Sequence, residues 1–247
     1  MATERIQFMK VPFDVVPEED FEQTILDLLA KKGPQHIMLL SLWDFLRARH
    51  RGEFHTMVVN AALVLPVSKS LIRGIRFLKK NTPDRYQSFS LIIKVLGILE
   101  KHYKSLYLFG AHQRSLLQAE KNVRSTFPNL SIVGRFPGYY HKTMEKNILT
   151  AITKAEPSLI LAGNGIPGAQ RWINRNRLKL NSGLFIWDPD VIDIFSERKR
   201  RISEKTFKRG LEYFPQILKN PLRIFRIFQY LWYNILLLCY RLLKRNS

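Results

Sequence analysis

Two glycine-bearing turns carry the clearest chemical signal in this 247-residue chain. Leu108-Phe109-Gly110-Ala111-His112-Gln113 runs from an apolar stretch into a helical pattern. Leu161-Ala162-Gly163-Asn164-Gly165-Ile166-Pro167-Gly168 does the same. Glycine lets a backbone approach a ligand closely, and free N–H groups at a helix start favour an anion such as phosphate. Gly110, Gly163 and Gly165 are therefore candidate phosphate contacts, and His112 could donate to a diphosphate. Steric demands at strand-to-helix turns produce the same glycines, and a histidine at a helix start is often only that. Asp188, Asp190 and Asp193 bring three carboxylates together. One of them could act as a base or hold a metal, and a turn with helix-start charges explains them equally. Ser41, Ser68, Ser88 and Ser90 supply hydroxyls with no base beside them, so spacing gives no Ser/His/Asp triad. The one cysteine, Cys239, allows no intramolecular disulfide, and no Cys/His cluster has zinc spacing, so no metal is expected.

The elements that must hold these groups alternate regularly. Asp14 to Glu19 reads as a helix start, followed by Phe21, Ile25, Leu28 and Leu29 on one helix face. Short apolar runs at His36–Ser41, Leu63–Pro66, Leu106–Gly110, Ser131–Gly134, Leu159–Gly163 and Leu184–Trp187 read as strands. Helical patterns separate them: Trp43–Ala61 with a break near Gly52, Ser68–Leu78, Phe89–His102, Gln113–Thr126, Lys142–Ala155 and Gly168–Leu178. Buried strands alternating with helices predict an α/β fold with a parallel sheet covered on both faces. Such sheets bind ligands at the carboxyl ends of their strands.

The charge is uneven. Forty Lys/Arg against 20 Asp/Glu give a formal net charge of +20, which points to an anionic partner. Residues 197–247 hold 13 of the basic and 3 of the acidic residues, so a fifth of the chain carries half the excess. A composition break near Ser196–Ile202 separates a body, 1–196, from a basic appendage, 197–247. That appendage is also greasy. Between Arg226 and Arg241 lie 14 uncharged residues, only two of them amides, Gln229 and Asn234. A spanning helix needs about 20 apolar residues. The pattern predicts instead an amphipathic helix lying in an anionic membrane surface. Trp232 would sit at headgroup level, and Arg201, Arg223, Arg226 and Arg241 would meet lipid phosphates. A terminal helix packed on the core, or a dimer face, would share this pattern. A nucleic-acid arm is disfavoured, because aliphatic runs suit lipid better than base stacking. The start, MATERIQFMKVPFD, has charges and no apolar run, so no signal peptide is expected. A hydrophobic content of 46% excludes a disordered chain.

In their order, these motifs resemble the WecG/TagA/CpsF glycosyltransferase family along nearly the whole length. The matching stretches are Val11-Pro12-Phe13-Asp14, Ala61 to Pro66, Leu106 to Gly110, Phe127 to Gly134 and Pro137-Gly138-Tyr139-Tyr140. The strongest runs from Ala162 to Ile173, and Gly210-Leu211-Glu212-Tyr213 and Pro221-Leu222-Arg223 follow. The resemblance implies a Rossmann-like sheet flanked by helices and a basic C-terminal appendage that docks on the membrane and completes the site. It implies transfer of an N-acetylmannosamine-type sugar from a UDP-sugar to a polyprenyl-diphosphate-linked acceptor. The location would be the cytoplasmic face of a bacterial membrane, as a peripheral protein. No cofactor is implied beyond the donor substrate, and a homo-oligomer is compatible with it.

Residue by residue, the family's site pattern is altered. Its aspartate base, in a motif like L-P-D-G, falls at Leu65-Pro66-Val67-Ser68, and valine accepts no proton. The Asn of a T-x-N motif falls at about Ser41, and an R-x-x-G-x-D stretch keeps Arg85 but has Ser88 and Ser90. The G-x-P-K-Q-E motif reads Gly165-Ile166-Pro167-Gly168-Ala169-Gln170, and the Arg of an E-W-x-Y-R stretch is Gln216. By family position, Ser41, Ser68 and Ser90 line the pocket, while Gly110, His112, Gly163, Gly165 and Gln170 face the donor. Asp188 or Asp190 is left as a substitute base, and Trp43 is a candidate to fill volume that a sugar vacated. An altered but active glycosyltransferase is the leading expectation. The alternative is a catalytically inactive homologue that binds or scaffolds in the same envelope-polysaccharide pathway. A nucleic-acid binder ranks last, kept only for its net charge.

Overall fold

Apolar strands with no polar alternation need cover on both faces. The computed structural model, which describes residues 3–181, 183–210 and 227–243, has that arrangement. Six strands form one parallel sheet: β3 (Gln35–Leu40), β4 (Leu63–Pro66), β5 (Ser105–Phe109), β6 (Ser131–Phe136), β7 (Leu159–Ala162) and β8 (Leu184–Trp187). Their order is β4-β3-β8-β7-β5-β6. Successive side chains point to opposite faces. Leu39, Leu65, Leu108, Leu161 and Ile186 face one layer, packed with helices α1 (Phe21–Ala30), α5 (Ser88–Lys101), α6 (Gln113–Thr126) and α9 (Val191–Phe195). Met38, Leu40 and Val64 face the other layer, with α2 (Leu42–Ala48), α3 (Glu53–Val59) and α4 (Lys69–Phe77). Phe109, Ile160 and Phe185 continue that layer around Trp172, under α7 (Glu145–Ala155) and α8 (Gln170–Asn176). The pattern at Gly168–Leu178 thus resolves into α8 and a short 3₁₀ turn, Arg177–Lys179.

A hairpin that the sequence pattern does not announce precedes the sheet. β1 (Glu4–Phe8) pairs antiparallel with β2 (Val11–Val15), Ile6 opposite Phe13. Met9 and Lys10 make the turn with φ of 48° and 73°, the left-handed pair that a type I′ turn requires. Asp14 lies in β2, not at a helix start. Its carboxylate is buried and accepts Arg5 Nε at 2.7 Å, Arg5 Nη2 at 2.9 Å and the Val64 N–H at 2.6 Å. This pairing ties the hairpin to β4, and α1 begins only after Asp20.

The appendage meets the body through polar and apolar contacts. Lys69 Nζ donates to the carbonyls of Lys208 and Arg209, at the end of α10 (Glu204–Arg209). A cation there complements the negative end of the helix. Arg85 Nη1 donates to the Phe207 carbonyl at 2.6 Å and its guanidinium lies 3.7 Å above the Phe207 ring. Helix α11 (Ile227–Leu242) lays Tyr233 and Leu237 into the core beside α4. Tyr233 Oη donates to the Ser70 carbonyl at 3.0 Å, and a Cβ on Gly74 would stand 1.9 Å from Tyr233 Oη. The helix also presents an outward stripe: Phe228, Leu231, Trp232, Ile235, Leu238 and Leu242, each more than half exposed. No helix among the described residues is long and apolar enough to cross a membrane. Arg223 and Arg226 lie outside the described residues.

Candidate active site at the strand ends

The chain turns outward from β5 through α6 to β6, and in the opposite direction from β7 through α8 to β8. β5 and β7 are neighbours, so the crevice between their carboxyl ends is the topological switch point where open α/β sheets take ligands. Three loops meet there. The Gly163 N–H donates to the Phe109 carbonyl at 2.7 Å, Ala111 N–H to Asn164 O at 2.7 Å, and Gly110 N–H to Phe136 O at 2.9 Å. Gly110 has φ 118°, and a Cβ on it would lie 2.8 Å from Asn164 O, so the close approach excludes any side chain. From the loop after β6, Gly138 N–H donates to Ala111 O at 2.8 Å and Tyr139 N–H to Gly165 O at 2.7 Å. The Tyr139 ring stacks on the His112 imidazole, 4.2 Å apart and 10° from parallel. The N–H groups of Gly110 and Gly163 therefore serve the loop packing. The first turn of α6, which opens on this crevice, carries N–H donors that a helix start leaves without intrahelical partners. Arg198 Nη1 donates to Ser115 Oγ, a buried hydroxyl in that turn, at 2.9 Å and brings a positive charge beside it.

Asp188 follows β8, in the middle of the same edge. Its N–H extends the ladder to the Ala162 carbonyl at 3.0 Å, and its Oδ1 accepts the Asp190 N–H at 2.9 Å. Loss of water around this half-buried carboxyl pushes its pKa up to about 6. The nearby Asp190 charge adds to the rise, while hydrogen bonds from the Asp190 N–H and Ser88 and the charge of Lys199 oppose it. Asp190 itself is paired with Lys199. Asp193 Oδ2 accepts from Asn164 Nδ2 at 2.9 Å, and Trp187 Nε1 donates to Gly163 O at 3.1 Å, so β8 is laced to the β7 loop.

The other singled-out residues divide. Ser41 and Val67 stand at the adjoining ends of β3 and β4, with the Val67 N–H donating to Leu40 O at 3.0 Å. The Val67 side chain packs against the core. Ser41 caps α2: its Oγ accepts the Asp44 N–H at 3.2 Å and donates to Asp44 Oδ2 at 2.6 Å. Ser68 is buried ahead of α4. Ser90 is exposed and donates to Gln87 Oε1 at 3.1 Å. Gln170 is buried on the first turn of α8. Beside it Arg175 Nη2 donates to Pro167 O at 2.6 Å, and a Cβ on Gly168 would stand 2.5 Å from the same atom. Trp43 is 49% exposed and fills no pocket. Arg201 is exposed, and Trp232 and Arg241 belong to α11, where Arg241 Nη1 donates to Phe77 O at 3.2 Å at the end of α4. Sequence reasoning missed Ser88 as the partner of Asp188. It also missed Arg198, although the run Arg198-Lys199-Arg200-Arg201 was a visible signal. Among the described residues no group of three or more His, Cys, Asp or Glu could hold a metal ion.

The structure is thus an open parallel sheet with its candidate groups on the carboxyl edge, where such sheets take ligands, and a basic helical extension. The chain belongs to the glycosyl transferase WecG/TagA/CpsF family, whose model matches residues 6–247. A similar curated protein is the N-acetylglucosaminyldiphosphoundecaprenol N-acetyl-beta-D-mannosaminyltransferase of Bacillus subtilis (strain 168), 22% identical over 172 residues. The match takes in 69% of this chain and 66% of that relative, slightly under two thirds of its length.

Proposed function

We propose that this protein is a glycosyltransferase. It moves an N-acetylmannosamine-type sugar from a UDP donor to a polyprenyl-diphosphate-linked acceptor, with Asp188 as the base. Family membership and the activity for which the Bacillus relative is named support the reaction class. The observation that carries the reading is Asp188, a carboxylate held near pKa 6 at the strand-end edge where the family's own base position is Val67. An ordinary aspartate is too weak a base to hold an alcohol proton, and a raised pKa improves it near neutral pH. The acceptor hydroxyl oxygen attacks the anomeric carbon. The bond from that carbon to the donor phosphate oxygen breaks, and its electron pair leaves with UDP. The hydroxyl proton passes to the Asp188 carboxylate. Donor phosphates would lie at the first turn of α6 beside Arg198.

A lipid-linked acceptor requires an approach to the membrane, and the outward stripe of α11 has the composition for it. The protein would act from the cytoplasmic face as a peripheral protein. Incubation with UDP-N-acetylmannosamine and a polyprenyl-diphosphate-linked N-acetylglucosamine, with UDP release followed, tests the reading. Release and transfer that vanish in Asp188→Asn support it, and no release by the wild type sinks it.

A second reading has its own observation. Ser41 and Ser90 are satisfied by neighbouring side chains and Val67 is packed against the core, so three former site positions serve the fold. That is what an inactive homologue with a binding or scaffold role would show. A ligand at a hundredfold excess over its Kd stabilises the folded chain by about 2.7 kcal/mol. UDP that leaves the melting temperature unmoved, together with absent turnover, decides for the scaffold.

A further inference from the structure

Helices α4 and α11 run side by side in the same direction, since Tyr233 meets the Ser70 carbonyl and Arg241 the Phe77 carbonyl. Between them lies a groove of about 480 Å³, within the range of roughly 300–1,000 Å³ usual for ligand sites. It follows α4 from Ser70 to Phe77, a length of about 10 Å. Buried Tyr233 and Leu237 line its depth beside Gly74, which has no side chain to fill it. Phe77 on one helix and Leu238 on the other line it while remaining exposed. Large apolar side chains gathered at an open groove mark an interaction site rather than a closed core.

The groove has one sign of charge. α4 carries Lys69, Arg73 and Arg76, α11 carries Arg241, and neither helix has an acidic residue. Arg73 lines the groove, is exposed, and has no hydrogen bond or ion pair among the described residues. A two-fold contact between copies would set this face against itself, cation against cation, which disfavours a second chain. A third helix is itself about 10 Å across and suits a broad face better than a slot between two helices. An apolar chain with an anionic head matches both the lining and the charge. The position of the groove selects which chain. β4 ends at Pro66 and α4 starts at Lys69, so the near end of the groove lies at the strand-end edge that holds Asp188. A bulk phospholipid gains nothing from that position, whereas an acceptor must bring its diphosphate-linked sugar there. We propose that the groove between α4 and α11 seats the isoprenoid chain of the polyprenyl-diphosphate-linked acceptor, with Arg73 paired to its diphosphate. This rests on the acceptor reading above. The outward stripe of α11 continues the same surface, because Leu238 belongs to both.

Calorimetric titration of the full chain with inorganic diphosphate, geranyl diphosphate and farnesyl diphosphate tests the groove without donor or turnover. Affinity should climb with chain length, and farnesyl diphosphate should bind about tenfold or more tightly than inorganic diphosphate. Asn234→Trp fills the groove from its exposed α11 side and should abolish that gain. Arg73→Gln should weaken farnesyl diphosphate about tenfold. A farnesyl diphosphate with a photoreactive diazirine at the end of its chain locates the chain in the wild type, so a variant that does not fold leaves the test intact. Adducts on residues 70–77 and 230–238 support the inference. Adducts confined to other residues overturn it, and so does affinity that ignores chain length. Asn234→Trp that loses flotation with acceptor-free anionic vesicles but keeps farnesyl diphosphate affinity assigns the groove to a phospholipid and overturns the inference. A dimer that Asn234→Trp splits, again with farnesyl diphosphate affinity kept, assigns it to a second copy with the same consequence. UDP release is a separate measurement. A chain seated in the groove without any release upholds this inference and overturns the transferase reading, whereas release with the chain seated elsewhere overturns this inference alone.

Discussion

Replacing Asp188 by asparagine should make the protein more stable at pH 8 and leave it unchanged at pH 4. Folding takes water from this carboxyl and raises its pKa from 3.8 to about 6. One pKa unit is about 1.4 kcal/mol, so keeping the side chain ionised in the folded state costs about 3 kcal/mol at most. Partial solvent contact brings that to roughly 2 kcal/mol. Below the unfolded pKa both states hold the proton and no penalty exists. Between about pH 4 and 6 the folded chain keeps a proton that the unfolded chain has lost, so stability falls as pH rises. Above that window both states are ionised and the penalty is constant. Asparagine still accepts from the Asp190 N–H and Ser88, but it has no charge to desolvate. For a chain of this size 1 kcal/mol is about 2–4 °C, so the variant should melt roughly 4–8 °C higher at pH 8. Scanning calorimetry of both proteins from pH 4 to 8 gives the difference curve, in which groups that titrate alike in both cancel. Turnover should fall by about a hundredfold or more in the same variant. An asparagine variant that melts at or below the wild type at pH 8 would refute the reasoning. It would mean that Lys199 and the hydrogen bonds offset the desolvation fully, leaving Asp188 as an ordinary structural carboxylate.

Asp14→Ala should destabilise by about 1–3 kcal/mol, because it removes the acceptor of the buried Val64 N–H, while the partly exposed Arg5 keeps the Ala61 and Ala62 carbonyls; urea unfolding measures it. Gly74→Ala should unseat α11, since the new methyl group meets Tyr233 Oη at 1.9 Å; the expected sign is a lower melting temperature with faster proteolysis near Tyr233. Changing Leu231, Trp232 and Ile235 together to serine should abolish flotation with anionic vesicles while the melting temperature holds, because these side chains face outward. Retained flotation would remove the membrane role from this stripe.

Much of the fold was legible because the sheet is parallel and buried. Runs such as Leu159-Ile160-Leu161-Ala162 have no polar alternation to confuse with a helix, and α6 and β8 fall where their patterns put them. The hairpin was hidden because its turn is Met9-Lys10, without the Asn-Gly or Asp-Gly pair that advertises φ above zero. With the hairpin unseen, Asp14 resembled a helix start before Pro17, whereas its real partner Arg5 lies across the ladder. The site was half legible. Gly110, Gly163 and Gly165 stood out as positions for a phosphate to approach; the groups packed closest to them are the Asn164 carbonyl, the Ile192 side chain of α9 and the Tyr139 ring. The environment of Asp188 depends on Ser88, a hundred residues earlier, and no local spacing encodes that pairing.

Tyr233 and Trp232 are neighbours in sequence, yet one is inside the protein and the other outside. Helix α11 is thus wall and outer skin at once. An arm that swings away would have to bring Tyr233 and Leu237 into water beside a stripe already there, so the helix is held to the body to which it is fastened. Seating its outward stripe on any apolar surface therefore fixes the attitude of the whole molecule, and with it the direction in which the strand-end edge faces.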